Sequence, residues 1–456
     1  MNFARHSISS TNRIHIFDAQ FDADAQIFTA STPFGFAIYR SFPLELVRKR
    51  EIKGGTLSLV VPLHMSSLLF LVGGGRSPRY SPNKVIFWDD VAACEVAELE
   101  FREPVRGLAC RRGWLAVALR RRVVLFEIGE QVSRYGEWDT CENPRGLLAL
   151  ATAAYATLLA IPGRQTGHVQ LVHLSPCKPP APLGPPPPVP PKRPPPPPTK
   201  SPISVIAAHV SALTSLSMPP SGRLLATTSA TGTLVRVWDA LTGALLREFR
   251  RGSDKADIYG VAFRPDEREL CVWSDKGTVH VFTMDASGMP SRQSTLSQLS
   301  NFLPLQYLKP ERSYAQFRIP TQSAHISLSP TTATSPTGDV LDQERCVVGW
   351  IEVPNSENLP ISEYQLIVLT YAGGWYRVSV PRSSASSVST TSSSVAPTSS
   401  VSAYGVPTKS HHRRPSSISS VVSNKGKGKD REKEQKESRD CALQEFRRFG
   451  QWDAWS

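Results

Sequence analysis

Arg223-Leu-Leu-Ala-Thr-Thr-Ser229, a short turn, then Gly232-Thr-Leu-Val-Arg-Val-Trp238-Asp239 reads as two β-strands joined tightly. The chain then repeats the unit as Glu269-Leu-Cys-Val-Trp-Ser274 and Gly277-Thr-Val-His-Val-Phe282. An earlier copy closes on Lys84-Val-Ile-Phe-Trp88-Asp89. Repeats of about 40–45 residues, built of four short strands and often closed by Trp-Asp, are the signature of a β-propeller.

Working outward, further short apolar or alternating runs predict strands at 57–62, 68–72, 114–118, 122–128, 169–173, 258–263, 346–351 and 364–370. No long amphipathic helix competes, so the fold class is all-β. Trp138-Asp139 and Trp452-Asp453 lack the surrounding pattern and are read as coincidence.

Two stretches fit no core. Residues 175–202 hold 16 prolines in 28 positions, which predicts a polyproline II spacer. Residues 382–440 are rich in Ser and Thr and end in the charge run Lys425–Lys436, too polar to offset the entropy of ordering. The expected ordered parts are therefore 13–174, 203–381 and 441–452, a single propeller with two insertions. Setting the insertions aside leaves roughly 53 residues for each of seven blades, with six or eight nearly as compatible.

The 456-residue chain has a formal net charge of +13. The proline-rich stretch carries Lys178, Lys192, Arg193 and Lys200 without an acid, and 382–440 carries eleven Lys/Arg against five Asp/Glu. The remainder is nearly neutral, so charge gives no case for a nucleic-acid partner. No apolar run reaches the ~18 residues of a membrane span, and the N-terminus lacks a signal-like apolar stretch. The seven scattered cysteines form no CxxC pair. The expectation is a soluble intracellular protein without a metal or other cofactor. No HExxH, GxSxG or P-loop spacing is present, so no catalytic residues are assigned and an enzyme is not expected. The arginine clusters at 111–112 and 120–122 read as solvated hairpin ends.

Leu245-Leu-Arg-Glu-Phe249-Arg250-Arg251-Gly252, with Ile258–Phe263 and Ser274-Asp-Lys-Gly-Thr278-Val-His280 behind it, resembles the Phe-Arg-Arg-Gly region of the PROPPINs, the seven-bladed WIPI-like propellers that bind polyphosphoinositides. Leu71-Val-Gly-Gly-Gly through Trp88-Asp-Asp90 is similar to the blade-two signature of that family, and Glu98–Arg102 and Asn143-Pro-Arg-Gly146 also match. The resemblance runs from about residue 13 to 380 and resumes over 441–452; the two insertions depart from it.

Side chains alternate along a strand, so Arg250 and Arg251 face opposite sides and cannot serve one pocket. Guanidinium forks suit phosphate oxygens. The resemblance implies two phosphoinositide sites: His209, Thr227, Ser229, Thr233, Arg236 and Arg250 in one, and Arg251, Ser274, Thr278 and His280 in the other. The plainer readings stand beside it: adjacent arginines at a strand end are often solvated, Ser and Thr form turns, and propeller histidines often belong to internal hydrogen-bond networks.

Residues 287–312 are expected to form a loop between the third and fourth strands of blade six. Leu296, Leu299, Phe302 and Leu303 fall at helical spacing with Leu305 beyond, and are read as membrane-inserting or, alternatively, as packed on the blade rim. The function implied is a scaffold recruited peripherally from the cytoplasm to autophagic, endosomal and vacuolar membranes by phosphatidylinositol 3-phosphate and 3,5-bisphosphate, bridging to a lipid-transfer protein of autophagy. The alternatives are a general Trp-Asp interaction scaffold without lipid binding, or an adaptor offering PxxP ligands to SH3, WW or profilin-like modules.

Overall fold

The computed structural model describes residues 16–64, 66–111, 113–153, 156–174, 204–284, 311–320, 345–354, 363–381 and 440–450. All of its regular structure is strand, arranged as seven sheets whose four blade strands pair antiparallel. Blade one is β1–β4 (Asp18–Phe21, Ile27–Thr32, Gly35–Arg40, Glu45–Glu51) and blade two β5–β8 (Leu57–Pro62, Leu68–Gly73, Lys84–Asp89, Cys94–Glu100). Blade three is β9–β12 (Gly107–Arg111, Trp114–Ala118, Arg122–Ile128, Val132–Asp139) and blade four β13–β16 (Ala149–Ala153, Ala156–Pro162, His168–Leu174, Val205–Ala207). Blade five is β17–β20 (Leu213–Ser217, Leu224–Ser229, Leu234–Asp239, Leu245–Arg250). Blade six is β21–β23 (Ile258–Phe263, Glu269–Ser274, Thr278–Thr283) with β25 (Ala315–Arg318). Blade seven is β26–β29 (Cys346–Val353, Glu363–Thr370, Gly374–Ser379, Ala442–Arg448).

The strands predicted from alternation all appear, extended by at most two residues at an end. Outer strands such as β8 and β12, largely polar and exposed, carried no such pattern. Trp138-Asp139 ends an outer strand, outside the position where the repeat places its Trp-Asp.

The Trp-Asp unit has a physical reason. Asp89 Oδ1 accepts the amides of Val91 and Ala92, and Asp239 Oδ1 those of Leu241 and Thr242, so each aspartate folds the turn that follows its strand. Trp238 is 8% exposed and donates its indole N–H to Thr227 Oγ1 at 3.0 Å, tying β19 to β18.

The core is distributed: seven apolar clusters, one between each adjacent pair of blades. Each blade comes from one continuous stretch apart from intervening segments, so the ring closes by packing rather than by a strand shared between the termini. The seam joins Phe28 and Tyr39 of blade one to Trp375 and Phe449 of blade seven. Tyr371 donates to Asp18 Oδ1 at 3.0 Å, Trp375 Nε1 to the Ser41 carbonyl at 3.2 Å and the Gly450 amide to the Tyr39 hydroxyl at 2.9 Å. The Asn143–Gly146 motif is used structurally: Asn143 is 2% exposed, Gly146 adopts φ 64°, and Arg145 crosses to Asp257 and to the Ile258 carbonyl.

The arginine pairs are divided. Arg120 and Arg122 are exposed and paired to Glu142 and Glu137, as expected of solvated ends, whereas Arg111 is only 7% exposed and does not fit that reading.

Both insertions interrupt the connection between third and fourth strands, in blades four and seven, and lie outside the described residues. The strands on either side pair directly across the gap: Gln170 opposite Val205, Ser379 opposite Ala442. Excising 178–200 and 384–438 is therefore expected to leave one cooperative thermal transition, measurable by calorimetry; aggregation of the shortened protein would contradict it.

Candidate functional site

Phe249 fixes how the Phe-Arg-Arg stretch is displayed. It is 1% exposed, belongs to the cluster between blades five and six, and stacks on Phe282 with centroids 4.8 Å apart. With Phe249 anchored toward blade six, alternation turns Arg250 to the other face of blade five, the side packed on blade four through Leu225 and Trp238. The next residue, Arg251, leaves the strand toward blade six.

Register assembles the first group. Thr227 pairs with Arg236, which pairs with Glu248, and Ser229 and Arg250 lie two residues further along their strands on the same face. Within this group most polar atoms are already engaged. His209, 9% exposed, has Nε2 2.9 Å from Thr227 Oγ1, the same oxygen that accepts from Trp238. Arg236 donates to Glu248 at 2.8 Å and to the Ala208 carbonyl at 2.6 Å. Ser229 Oγ is 3.2 Å from Thr231 Oγ1. Thr233 lies in the turn before β19, and its carbonyl accepts the Arg251 amide, so its backbone belongs with the second arginine rather than the first. Arg250 is the exception. Half-buried, it has no hydrogen-bond or ion-pair partner among the described residues.

Ser274, Thr278 and His280 share one face of blade six, because Val272 pairs with His280 and the other two lie two residues along. That face is the one packed on blade five. Arg251, 9% exposed, sits beside it and donates Nε to the Gly232 carbonyl at 2.9 Å and a terminal nitrogen to the Asp254 carbonyl. Arg251 thus departs from the plainer reading of strand-end arginines as solvated, and is also a brace of the fold. Burial lowers its pKa, with Asp275 and Asp254 acting the other way. Gly252 has open space where a Cβ would stand, so nothing in the fold requires glycine there.

Both histidines are neutral around pH 7. Burial, then the Arg236 charge, pushes His209 down to about 4; burial, then the Arg251 charge, pushes His280 down to about 4. A histidine that faces a phosphate in the open would be shifted the other way, since an anion favours the charged ring; in the free protein burial wins.

Sequence reasoning missed four participants: Glu248, which neutralises Arg236; Trp238, which shares Thr227; and Arg312 and Ser313. The last two follow the blade-six segment. Residues 285–310 lie outside the described residues, and with them Leu296, Leu299, Phe302, Leu303 and Leu305. The expected loop extended to Arg312, but Glu311–Arg312 form β24, which adds to blade five parallel to β20 with Arg312 opposite Arg250. Two charged residues carry no strand signal, and only the returning chain places them there. Ser313 Oγ lies 3.1 Å from His280 Nδ1.

Seven packed blades with two arginine-centred clusters on blades five and six define a β-propeller with polar groups gathered at two of its blade interfaces. The PROPPIN family profile matches residues 199–326, which span both clusters. SVP1-like protein 2 of Pichia angusta is 31% identical over 318 residues, covering 68% of this chain and 83% of that protein. SVP1-like protein 2 of Schizosaccharomyces pombe is 33% identical, covering 60% and 68%, and autophagy-related protein 18e of Arabidopsis thaliana 31%, covering 66% and 74%. Among solved structures, Kluyveromyces lactis Hsv2 superposes with a TM-score of 0.57 at 20% identity, covering 82% of this chain and 95% of that one. This chain belongs to the PROPPIN family. At family level that means a phosphoinositide-binding scaffold of autophagy. No helix among the described residues is long and apolar enough to cross a membrane.

Proposed function

We propose that this protein reads phosphatidylinositol 3-phosphate and phosphatidylinositol 3,5-bisphosphate through two headgroup pockets and thereby brings a scaffold to autophagic, endosomal and vacuolar membranes. The observation that carries the reading is the display of Arg250 and Arg251 toward opposite faces of one blade, each beside a separate set of hydroxyl and imidazole groups. A guanidinium without an acidic partner, such as Arg250, has its hydrogen-bonding capacity available to a phosphate. The open side of Gly252 leaves room for a ligand next to Arg251.

Arg250 is the accessible member of the first pocket; His209 and Thr227 act as its buried support, Arg236 is shared with Glu248, and Thr233 joins the two pockets through its carbonyl, which holds the Arg251 amide. Ser274, Thr278 and His280 complete the second with Arg251. Vesicle flotation decides between this and the alternatives. Vesicles of phosphatidylcholine carrying either 3-phosphorylated lipid should retain the protein, while the 4-phosphate and phosphatidylserine at equal charge should not. Equal retention on all anionic vesicles would reduce the interaction to charge, and no retention would favour a scaffold working through protein partners alone.

Partners follow the same reading. A solved KlAtg21 structure, 17% identical, is a complex with the coiled-coil of AgAtg16. A coiled coil is thus one partner class to test here, beside the lipid-transfer protein that the family resemblance implies and SH3, WW or profilin-like modules for the proline segment.

The blade-six segment supplies membrane contact in this proposal. Burying one Leu or Phe contributes about 1.5–3 kcal/mol, and tethering beside two headgroup pockets makes several such contacts act together. Changing Leu299, Phe302 and Leu303 to Ser is expected to leave soluble inositol 1,3-bisphosphate binding unchanged in calorimetry. Vesicle retention should fall at least about tenfold. Equal loss in both assays, or none in either, would contradict insertion.

A further inference from the structure

The segment Glu311–Tyr314 is placed where neither its sequence nor the blade repeat requires it. It runs from β24 on the edge of blade five to β25 in blade six, which sets Arg312 opposite Arg250 and Ser313 against His280. Arg247 pairs with Glu311 at 3.6 Å, and the Tyr314 hydroxyl donates to Glu269 at 2.6 Å, fastening the segment at both ends. Between these fasteners stand Arg312 and Ser313.

Parallel strands lie about 4.8 Å apart, and directly paired residues share a face. Arg312 is paired with Arg250, so the two arginine side chains leave neighbouring strands on the same face. Like charges directly opposite each other destabilise a strand pair. Among the described residues, neither arginine has a carboxylate or other ion-pair partner to offset the repulsion, although Arg247 on the same strand does. An anion between the two would remove the penalty and engage both forks.

Ser313 bears on the other cluster. His280 is neutral near pH 7, so one ring nitrogen accepts and the other donates. An Nδ1 that accepts from the Ser313 hydroxyl leaves the ring proton on Nε2, where it can donate to a phosphate oxygen.

We propose that Glu311–Tyr314 completes the phosphate-binding surface, with Arg312 as a second guanidinium for the phosphomonoester held by Arg250 and Ser313 as a positioning residue for the His280 imidazole. The inference rests on the phosphoinositide reading and adds to it a segment that also carries the blade-six insertion. Headgroup occupancy and the setting of that insertion are thereby joined through one short strand.

The test uses the full chain and three probes: inorganic phosphate, soluble inositol 1,3-bisphosphate, and phosphatidylcholine vesicles carrying phosphatidylinositol 3-phosphate. Arg312 is exposed and its removal relieves the like-charge pairing, so Arg312→Ala should melt no lower than wild type. It should weaken bisphosphate and vesicle binding about tenfold and lower the salt dependence of binding, with Arg312→Lys restoring the salt dependence but only part of the affinity. Ser313→Ala should shift the His280 tautomer, read by imidazole nitrogen chemical shifts, and weaken the same two probes, while Ser313→Thr restores both. Inorganic phosphate bound as tightly as the bisphosphate would mean a general anion site and overturn the headgroup assignment. Wild-type binding with unchanged Arg312→Ala binding would overturn this inference alone. A wild-type protein that binds none of the probes would overturn the phosphoinositide reading beneath it.

Discussion

Replacing Arg250 by Thr is expected to weaken binding to 3-phosphorylated phosphoinositide vesicles at least about tenfold while the protein stays as stable as wild type. Hydrogen bonds to charged groups contribute about 1.5–3 kcal/mol each, and Arg250 has no described partner whose loss would unsettle the fold. Arg251→Thr behaves differently. It removes the same kind of phosphate contact and also strips the Gly232 and Asp254 carbonyls of their donor, at a site 9% exposed. The expected cost is about 2–4 kcal/mol of folding stability. Denaturant titration beside vesicle flotation separates the two effects. The double variant should lose vesicle binding altogether. Two variants that bind like wild type would remove the basis of the two-pocket reading.

Acid should destabilise the free protein well above pH 4. His209 and His280 have folded values of about 4, below the ordinary value near 6.5 for an unfolded chain. Below pH 6.5 the unfolded state therefore takes up protons that the folded state refuses, and stability is lost as pH falls from 6.5 toward 4. The gap corresponds to on the order of 3 kcal/mol per histidine, less for the more accessible His280. Asp18 works in the opposite sense. Burial raises it to about 6, so its contribution is full below the unfolded value near 3.8 and is lost as pH rises through 6. Asp22 and Glu269, also raised by burial, act in the same sense as Asp18, so the histidine contribution is read from the difference between wild type and a histidine variant in urea midpoints between pH 6.5 and 4.5. His280→Gln should lose less stability than wild type as pH falls across that window, and an identical pH dependence would contradict the assignment. Headgroup binding, by contrast, should be flat from pH 8 to 6.5, since both imidazoles stay neutral there. It should weaken below about 6 as the phosphate takes up its second proton.

Inner strands such as Leu224–Ser229 and Leu234–Asp239 announce themselves because both faces or alternate positions are apolar, and β-branched and aromatic residues suit a buried pleat. Outer strands such as Cys94–Glu100 are mostly exposed, so no hydrophobic period marks them, and they form because an inner strand offers its edge. The split of Arg250 from Arg251 was legible for a related reason. Period-two alternation is a property of the backbone and needs no tertiary information.

What the neighbours of each side chain do was not legible. His209, Arg236 and Arg251 have the residue types of an anion site, yet the fold has already bonded each of them to Thr227, to Glu248 or to main-chain carbonyls. Those partners are 18, 12 and 19 residues away. Burial of the same histidines reversed the sign of their expected titration, because desolvation acts through surroundings that a linear pattern does not record. Arg312 was the furthest from prediction. By itself the sequence determined the all-β repeat and the opposed arginines, since those follow from local periodicity. Only the tertiary structure decided that a segment more than sixty residues downstream returns beside Arg250, because a two-residue strand is held by the edge it meets and the two ion-bearing contacts around it, not by any propensity of its own.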